Sequence, residues 1–289
     1  MKGHFREGEE AEFSDRDFDR LSRFLYKQCG IQLPLTKKSM LSSRLQKRIR
    51  LLGLPTFTAY VDRVVDPKMG DEELIQFLDA VTATKSDFFQ DPGQFEYLTR
   101  DVVPGLIQTK GVGVRRPLVV WSVGCATGEE PYTLSIVLKE FSEQVPGINF
   151  KGQILATDIS ARALEKASTA IYEMERVAAI PLPIKKKYLL KSRDPRKQMV
   201  RISPDLRAMV RFRQLNLMDP RFGLREPLDA IFCRNVVIYF DQPTQERVIN
   251  KLCQHLAPGG HLFVGQSEKL DKLHTPLVKV APTIYRLPE

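Results

Sequence analysis

Apolar positions change their period once along the chain. Ser14-Asp15 reads as a capping pair, and Phe18, Leu21, Phe24 and Leu25 then recur every three to four residues, which predicts an amphipathic helix. Further helices are expected at about 37–52, 55–65 and 71–81, with turn signals at Gly53, Pro55, Pro67 and Gly70 between them. Residues 14–82 are therefore expected to form a small helical domain. Ahead of it, residues 1–13 carry Glu7, Glu9, Glu10 and Glu12 among small polar residues and read as a disordered tail.

After a linker at about Thr84 to Pro92 and a helix to about Gln108, short apolar runs begin to alternate with helical patterns. Strands are expected at Leu118–Val123, Gln153–Thr157, Val210–Leu215, Leu228–Cys233 and His261–Gly265. Helices are expected at Pro131–Phe141, 161–169 and Pro243–Leu256. Such alternation makes right-handed βαβ crossovers and a doubly wound, largely parallel sheet, so residues 83–289 read as one α/β domain. Residues 171–209 interrupt it with β-like pieces such as Met199-Val-Arg-Ile202 and read as a small inserted β subdomain. Val278–Leu287 alternates as a hairpin partner or edge strand does.

Composition narrows the class. With 289 residues and 43% hydrophobic content the chain can bury a sizeable core. No run approaches the roughly 18 apolar residues of a membrane span, and the start is not a signal peptide, so a cytoplasmic protein with no membrane insertion is expected. The cysteines (Cys29, Cys125, Cys233, Cys253) and the four histidines are scattered without ligand spacing, so neither a disulfide framework nor a bound metal is expected. A formal charge of +9 argues for an acidic partner. The cations cluster at Lys37 to Arg50 and again at Lys185 to Arg201, although basic runs are often only solvated faces.

Candidate chemistry centres on Val123-Gly-Cys-Ala-Thr-Gly-Glu-Glu-Pro131, between the first strand and its helix. Its glycines permit a tight turn and close approach of a ligand to the backbone, and Pro131 suits a helix start. The P-loop lysine and the GxGxxG spacing are both missing. Two glutamates opening the helix would repel a phosphate but tolerate a cofactor bearing ammonium and sulfonium charges. Taken alone, the segment could be an ordinary strand-to-helix turn. Asp158 ends the second strand, where ribose hydroxyls are its natural partners; the alternative, a helix N-cap, has Ser160 as a competitor. Asn216 and the pair Arg234-Asn235 follow later strands. Polar groups at four successive strand ends point to a small-molecule site along the carboxyl edge of the sheet.

Val123-Gly-Cys-Ala-Thr-Gly-Glu-Glu-Pro-Tyr132, Ala156-Thr-Asp-Ile159, Asn216-Leu217 and Ile231-Phe-Cys-Arg-Asn-Val-Val-Ile-Tyr-Phe-Asp241 resemble the motifs of the chemotaxis receptor glutamate methyltransferases, the CheR family. The likeness runs from about Phe13 to Leu287. It implies a class I S-adenosylmethionine methyltransferase, with a Rossmann-like sheet, a helical N-terminal domain and an inserted β subdomain. It also implies methyl esterification of glutamates on the acidic helical cytoplasmic domain of methyl-accepting chemotaxis receptors, giving S-adenosylhomocysteine as product. Carried over by position, the cofactor is expected against Thr84, Ser86, Gln90, Gly124, Glu130, Asp158, Asn216, Leu217, Arg234 and Asn235. Arg234 and Tyr239 are expected to orient the cofactor and the incoming carboxylate. Gln90 departs from the pattern, since many relatives have arginine after the Phe-Phe pair. On the helix near residues 37–52, Lys37, Arg44 and Arg48 share one face and are expected to dock the acidic receptor helix. Two other readings remain: a nucleic-acid methyltransferase, disfavoured because no RNA-binding motif accompanies the basic patches, and a non-catalytic cofactor-binding protein.

Overall fold

The computed structural model describes residues 13–66, 71–82, 86–194, 196–224 and 226–289. The acidic tail and Thr84 lie outside them. The chain divides into two compact units, Met1–Ala83 and Thr84–Glu289.

Among the described residues the first unit has four α-helices: α1 (Asp15–Cys29), α2 (Lys38–Leu51), α3 (Phe57–Val65) and α4 (Asp71–Thr82). The Ser14 hydroxyl accepts from the Asp17 amide and so caps α1, which ends at Gly30 in the left-handed region. Phe18, Leu21 and Leu25 of α1, Leu41, Leu45 and Ile49 of α2, and Tyr60, Val61 and Val64 of α3 form the core. Phe13 stacks on Phe57 with ring centroids 4.8 Å apart. The basic face of α2 is not free for a partner along its length. Arg48 places Nε 3.1 Å and an η nitrogen 2.7 Å from the two oxygens of Glu73, which is only 4% exposed. Arg44 donates to the Ala80 and Val81 carbonyls at the end of α4. Of the expected docking triplet Lys37, Arg44 and Arg48, two members bond α2 to α4, and Lys37 alone is exposed.

The second unit opens with α5 (Pro92–Tyr97), a π-helical turn and α6 (Val103–Lys110). The expected alternation follows as β1 (Leu118–Val123), α7 (Glu129–Gln144), β2 (Gly152–Asp158) and α8 (Ala161–Thr169). Next come β3 (Ile171–Glu173), α9 (Leu182–Tyr188), β4 (Leu189–Lys191), β5 (Met199–Ile202) and α10 (Pro204–Ala208). The unit closes with β6 (Val210–Gln214), β7 (Leu228–Cys233), α11 (Gln242–Cys253), β8 (Leu256–Val264), β9 (Val278–Ala281) and β10 (Ile284–Arg286). The main sheet has the order β6-β2-β1-β7-β8-β10-β9. Its first five strands are parallel, while β10 runs antiparallel to both β8 and β9. A separate antiparallel sheet, β3-β5-β4, lies in the insertion. Strands β1 and β7 are buried almost throughout, as continuous apolar runs in a parallel sheet should be. The pairs Val123↔Thr157 and Val123↔Cys233 bring the carboxyl ends of β2, β1 and β7 level, at the point where strand order reverses. Open α/β sheets bind ligands in that crevice. Among the described residues no helix is long and apolar enough to cross a membrane.

His261 of β8 is 8% exposed, and its Nδ1 has no hydrogen-bond partner among the described residues. Burial, with Arg286 nearby, lowers its pKa to about 4 from 6.5. A histidine depressed in the fold contributes nothing to pH dependence above the unfolded value, and costs stability as the unfolded chain takes up the proton first. The second unit is therefore expected to lose stability on the order of 1–3 kcal/mol between pH 6.5 and 4 on this account. Urea midpoints for wild type and His261→Phe across that range test it: the variant should flatten the acid limb, and identical slopes would clear His261 of the effect.

Candidate functional site

The glycine turn is built by strain and then braced. Gly124 (φ +66°) and Gly128 (φ +98°) both occupy conformations that L side chains rarely adopt. A Cβ on Gly124 would fall 2.5 Å from Val236 Cγ2, and one on Gly128 would fall 2.8 Å from the Tyr172 hydroxyl. Ala126 is also left-handed (φ 45°), and its amide donates to Asp158 at 2.9 Å. The other Asp158 oxygen accepts from the Ser160 amide at 2.8 Å. Asp158 thus holds the loop after β1 against the end of β2, while Ser160 caps α8 through the Ala163 amide. Asn216 and Leu217 follow β6 on the same edge, both half-buried, and the Leu215 amide donates to the Asp158 carbonyl at 2.9 Å.

The two glutamates that open α7 are each matched by an arginine. Glu129 is 1% exposed and accepts from the Thr127 and Ser86 hydroxyls and from Arg176 at 2.9 Å. Glu130 accepts from the Ser122 hydroxyl at 2.7 Å and from Arg234 at 3.2 Å. Burial pushes the Glu130 carboxyl above its usual range, opposed by Arg234 and the Ser122 hydroxyl. Both carboxylates are thus compensated inside the protein.

Arg234 is the junction of the site. Besides Glu130, it donates to the Gln90 carbonyl and to Asp91, both at 2.8 Å, and its guanidinium carbon lies 5.7 Å from the centre of the Phe95 ring. Phe95 stacks on Phe232, which stacks on Phe263. Phe89 and Asp91 are both left-handed at φ 55°, so this segment is strained and held down by Arg234 and by a bond from the Phe89 amide to the Thr133 hydroxyl. With a side chain only 4% exposed, Arg234 braces the segment at Gln90-Asp91 against the start of α7. Asn235 is exposed and left-handed, and Tyr239 is 36% exposed on a 3₁₀ turn, which excludes core packing for it.

The structure thus brings Ser86, Gln90, Gly124, Glu130, Asp158, Asn216, Leu217, Arg234, Asn235 and Tyr239 to one unit, and joins Arg234 directly to Glu130 and Gln90. Sequence reasoning passed over Asp91, Glu129, Arg176 and Glu268. Glu129 was visible as half of the Glu-Glu pair, but Arg176 and Glu268 stand in segments with no motif to mark them. Among the described residues no group of three or more His, Cys, Asp or Glu is placed to hold a metal ion.

A doubly wound sheet ending in an antiparallel hairpin, with a glycine turn and an acid at neighbouring strand ends, defines a Rossmann-like S-adenosylmethionine methyltransferase. Residues 84–285 match the family model described as CheR methyltransferase, SAM binding domain, and residues 16–82 match CheR methyltransferase, all-alpha domain. The chain belongs to the CheR methyltransferase family, as its motifs led one to expect. It is 35% identical over 270 residues to the chemotaxis protein methyltransferase of Borreliella burgdorferi, covering 93% of each chain. It is also 35% identical to chemotaxis protein methyltransferase 2 of Pseudomonas aeruginosa, over 96% of this chain and 95% of that one. With the chemotaxis protein methyltransferase of Escherichia coli the identity is 32%, over 96% and 93%.

Proposed function

We propose that this protein transfers a methyl group from S-adenosylmethionine to glutamate side chains on the acidic cytoplasmic helices of chemotaxis receptors, in the cytoplasm. The observation that carries the reading is the braced crevice at the carboxyl ends of β1, β2, β6 and β7, in a chain aligned nearly end to end with methyltransferases named for chemotaxis. The donor set suits the cofactor. Asp158 and Asn216 offer half-buried oxygens to hydroxyls, Leu217 offers an apolar face to a base, and the buried Arg234 Nε has no partner among the described residues.

When bound, S-adenosylmethionine supplies an electrophilic methyl on a sulfonium. A glutamate side chain with its reference pKa of about 4.3 is already a carboxylate at neutral pH, so no general base has to act on it. The residues of the site therefore have to position and exclude water. Asp158 keeps the glycine turn in shape, Arg234 keeps the segment at Gln90-Asp91 against α7, and Tyr239, exposed on the turn that follows Arg234 and Asn235, would meet the substrate carboxylate. Gln90 keeps hydrogen-bonding reach at a position where many relatives have a charge, and its carbonyl is tied to Arg234. For the receptor, Lys37, just ahead of α2, is the exposed member of the triplet, and Lys47 and Arg50 are exposed cations on α2 itself.

Transfer of radiolabelled methyl groups to receptor cytoplasmic fragments, as base-labile ester, is the direct test. Cofactor binding without transfer would leave a binding protein, and labelling of nucleic acid instead would make it a different methyltransferase. Asp158→Ala is expected to weaken S-adenosylhomocysteine binding in calorimetry by about 1–3 kcal/mol, through lost charge-assisted hydrogen bonds. An unchanged affinity would remove Asp158 from the site.

A further inference from the structure

The loop after β7 carries Arg234, Asn235 and Tyr239, yet it is shaped by a side chain from outside that motif. Glu268, 4% exposed, accepts four backbone N–H bonds. One oxygen takes the amides of Asn235 at 2.9 Å and Gly265 at 2.6 Å. The other takes those of Val236 and Val237, each at 2.8 Å. Three consecutive amides converging on one carboxylate form an anion-binding concavity occupied by the protein's own side chain. That convergence requires Asn235 to be left-handed, at φ 58°. From this turn Arg234 runs back to Glu130 and Asp91, and Val236 is carried against Gly124.

We infer that Glu268 is a positioning residue for methyl transfer: its carboxylate fixes the left-handed turn at Asn235 and thereby the placement of Arg234, Asn235 and Tyr239. The inference rests on the methyltransferase reading above. The chemistry demands a carboxylate, not simply its volume. A carboxylate is acceptor-only at both oxygens, whereas the amide of a Glu268→Gln variant must turn a donor nitrogen toward one pair of N–H groups. Whichever pair that is, two donors face a donor in a buried place, and the turn has to open. A residue that only filled space would tolerate glutamine, which has nearly the same shape.

The experiment compares wild type and Glu268→Gln by amide hydrogen exchange at residues 235–237 and by receptor-fragment methylation, with rates normalised to sites titrated by S-adenosylhomocysteine. Exchange of the three amides is expected to rise at least about tenfold. The value of kcat should fall about 100-fold with the KM for the receptor fragment unchanged, the size of effect that follows from misplacing a site by about 1 Å. Wild-type kcat and wild-type amide protection in Glu268→Gln would overturn the inference. Gly265→Ala supplies an independent perturbation that keeps the charge. Its Cβ would fall 2.8 Å from the Glu268 carboxylate and 2.9 Å from Asn235 Oδ1, pushing both aside. The same selective loss of kcat is expected there, and if Glu268→Gln does not fold, normal turnover of Gly265→Ala overturns the inference by itself. Should wild type transfer no methyl to receptor fragments, the functional reading fails. Amide exchange and S-adenosylhomocysteine affinity in the same variants still decide whether Glu268 sets the turn.

Discussion

Gly124→Ala will lose about 2–5 kcal/mol of stability and bind S-adenosylhomocysteine at least about tenfold more weakly than wild type. Two separate costs add. Holding alanine at φ +66° costs about 1–2 kcal/mol, the ordinary penalty for a Cβ in the left-handed region. Its methyl then falls 2.5 Å from Val236 Cγ2, and overpacking of this kind costs about 1–3 kcal/mol. Val236 has little room to retreat, because its amide is bonded to the buried Glu268 at 2.8 Å. The collision therefore moves the turn, and with it the wall of the crevice. The two costs separate in a cycle with Val236→Ala: in the double variant the overpacking share should return while the backbone share stays. If Val236→Ala recovers nothing, the contact between the turn and the loop after β7 is not the cause.

Arg48→Ala will destabilise the helical unit by about 3–5 kcal/mol, the cost of leaving a buried charge without its partner. Glu73 is 4% exposed and receives two guanidinium bonds from Arg48, so removing the arginine strands a carboxylate in the interior of the unit. Arg48→Glu will cost more, since like charges then meet. Because the chain has two compact units, a single global midpoint would blur the effect, and amide exchange of α2 and α4 is the appropriate measurement. Exchange unchanged from wild type in α2 and α4 would show the pair to be dispensable. The result also governs how receptor docking can be tested. A charge reversal at Lys37, Arg44 and Arg48 together would abolish methylation by unfolding as readily as by lost attraction, so the exposed Lys37 and Lys47 are the better targets.

Much of the sheet was legible because buried parallel strands have to be apolar runs. Leu118–Val123 and Leu228–Cys233 have the bounds expected from the pattern, and α8 fills 161–169 as expected. The ends were less legible where side chains set them. Strand β8 begins at Leu256, where the pattern had ended a helix, and not at His261, and α7 starts two residues earlier than Pro131 suggested. In the site, polar groups at strand ends were readable because the carboxyl edge of such a sheet is where ligands bind. What sequence could not give was which polar groups are already satisfied. Arg44, Arg48 and Arg234 look identical in one dimension to free cations, and only the fold shows that their partners are Ala80, Glu73 and Asp91. Glu268 escaped for the complementary reason: its partners are backbone amides, which every sequence supplies and none advertises.

Arg176 lies in the segment between β3 and α9, yet it bonds to Glu129, Asp87 and the Ser86 carbonyl. From β3 the Tyr172 hydroxyl donates to the Thr127 carbonyl at 2.7 Å. The small sheet is therefore not an interchangeable cassette. A chimaera that takes residues 171–209 from a relative would also have to bring an arginine and a tyrosine in register, or Glu129 would be left buried with only hydroxyl partners. Recombination within the family should thus respect a seam that runs through the glycine turn, with breakpoints tolerated only when both halves of the Arg176–Glu129 pair are inherited together.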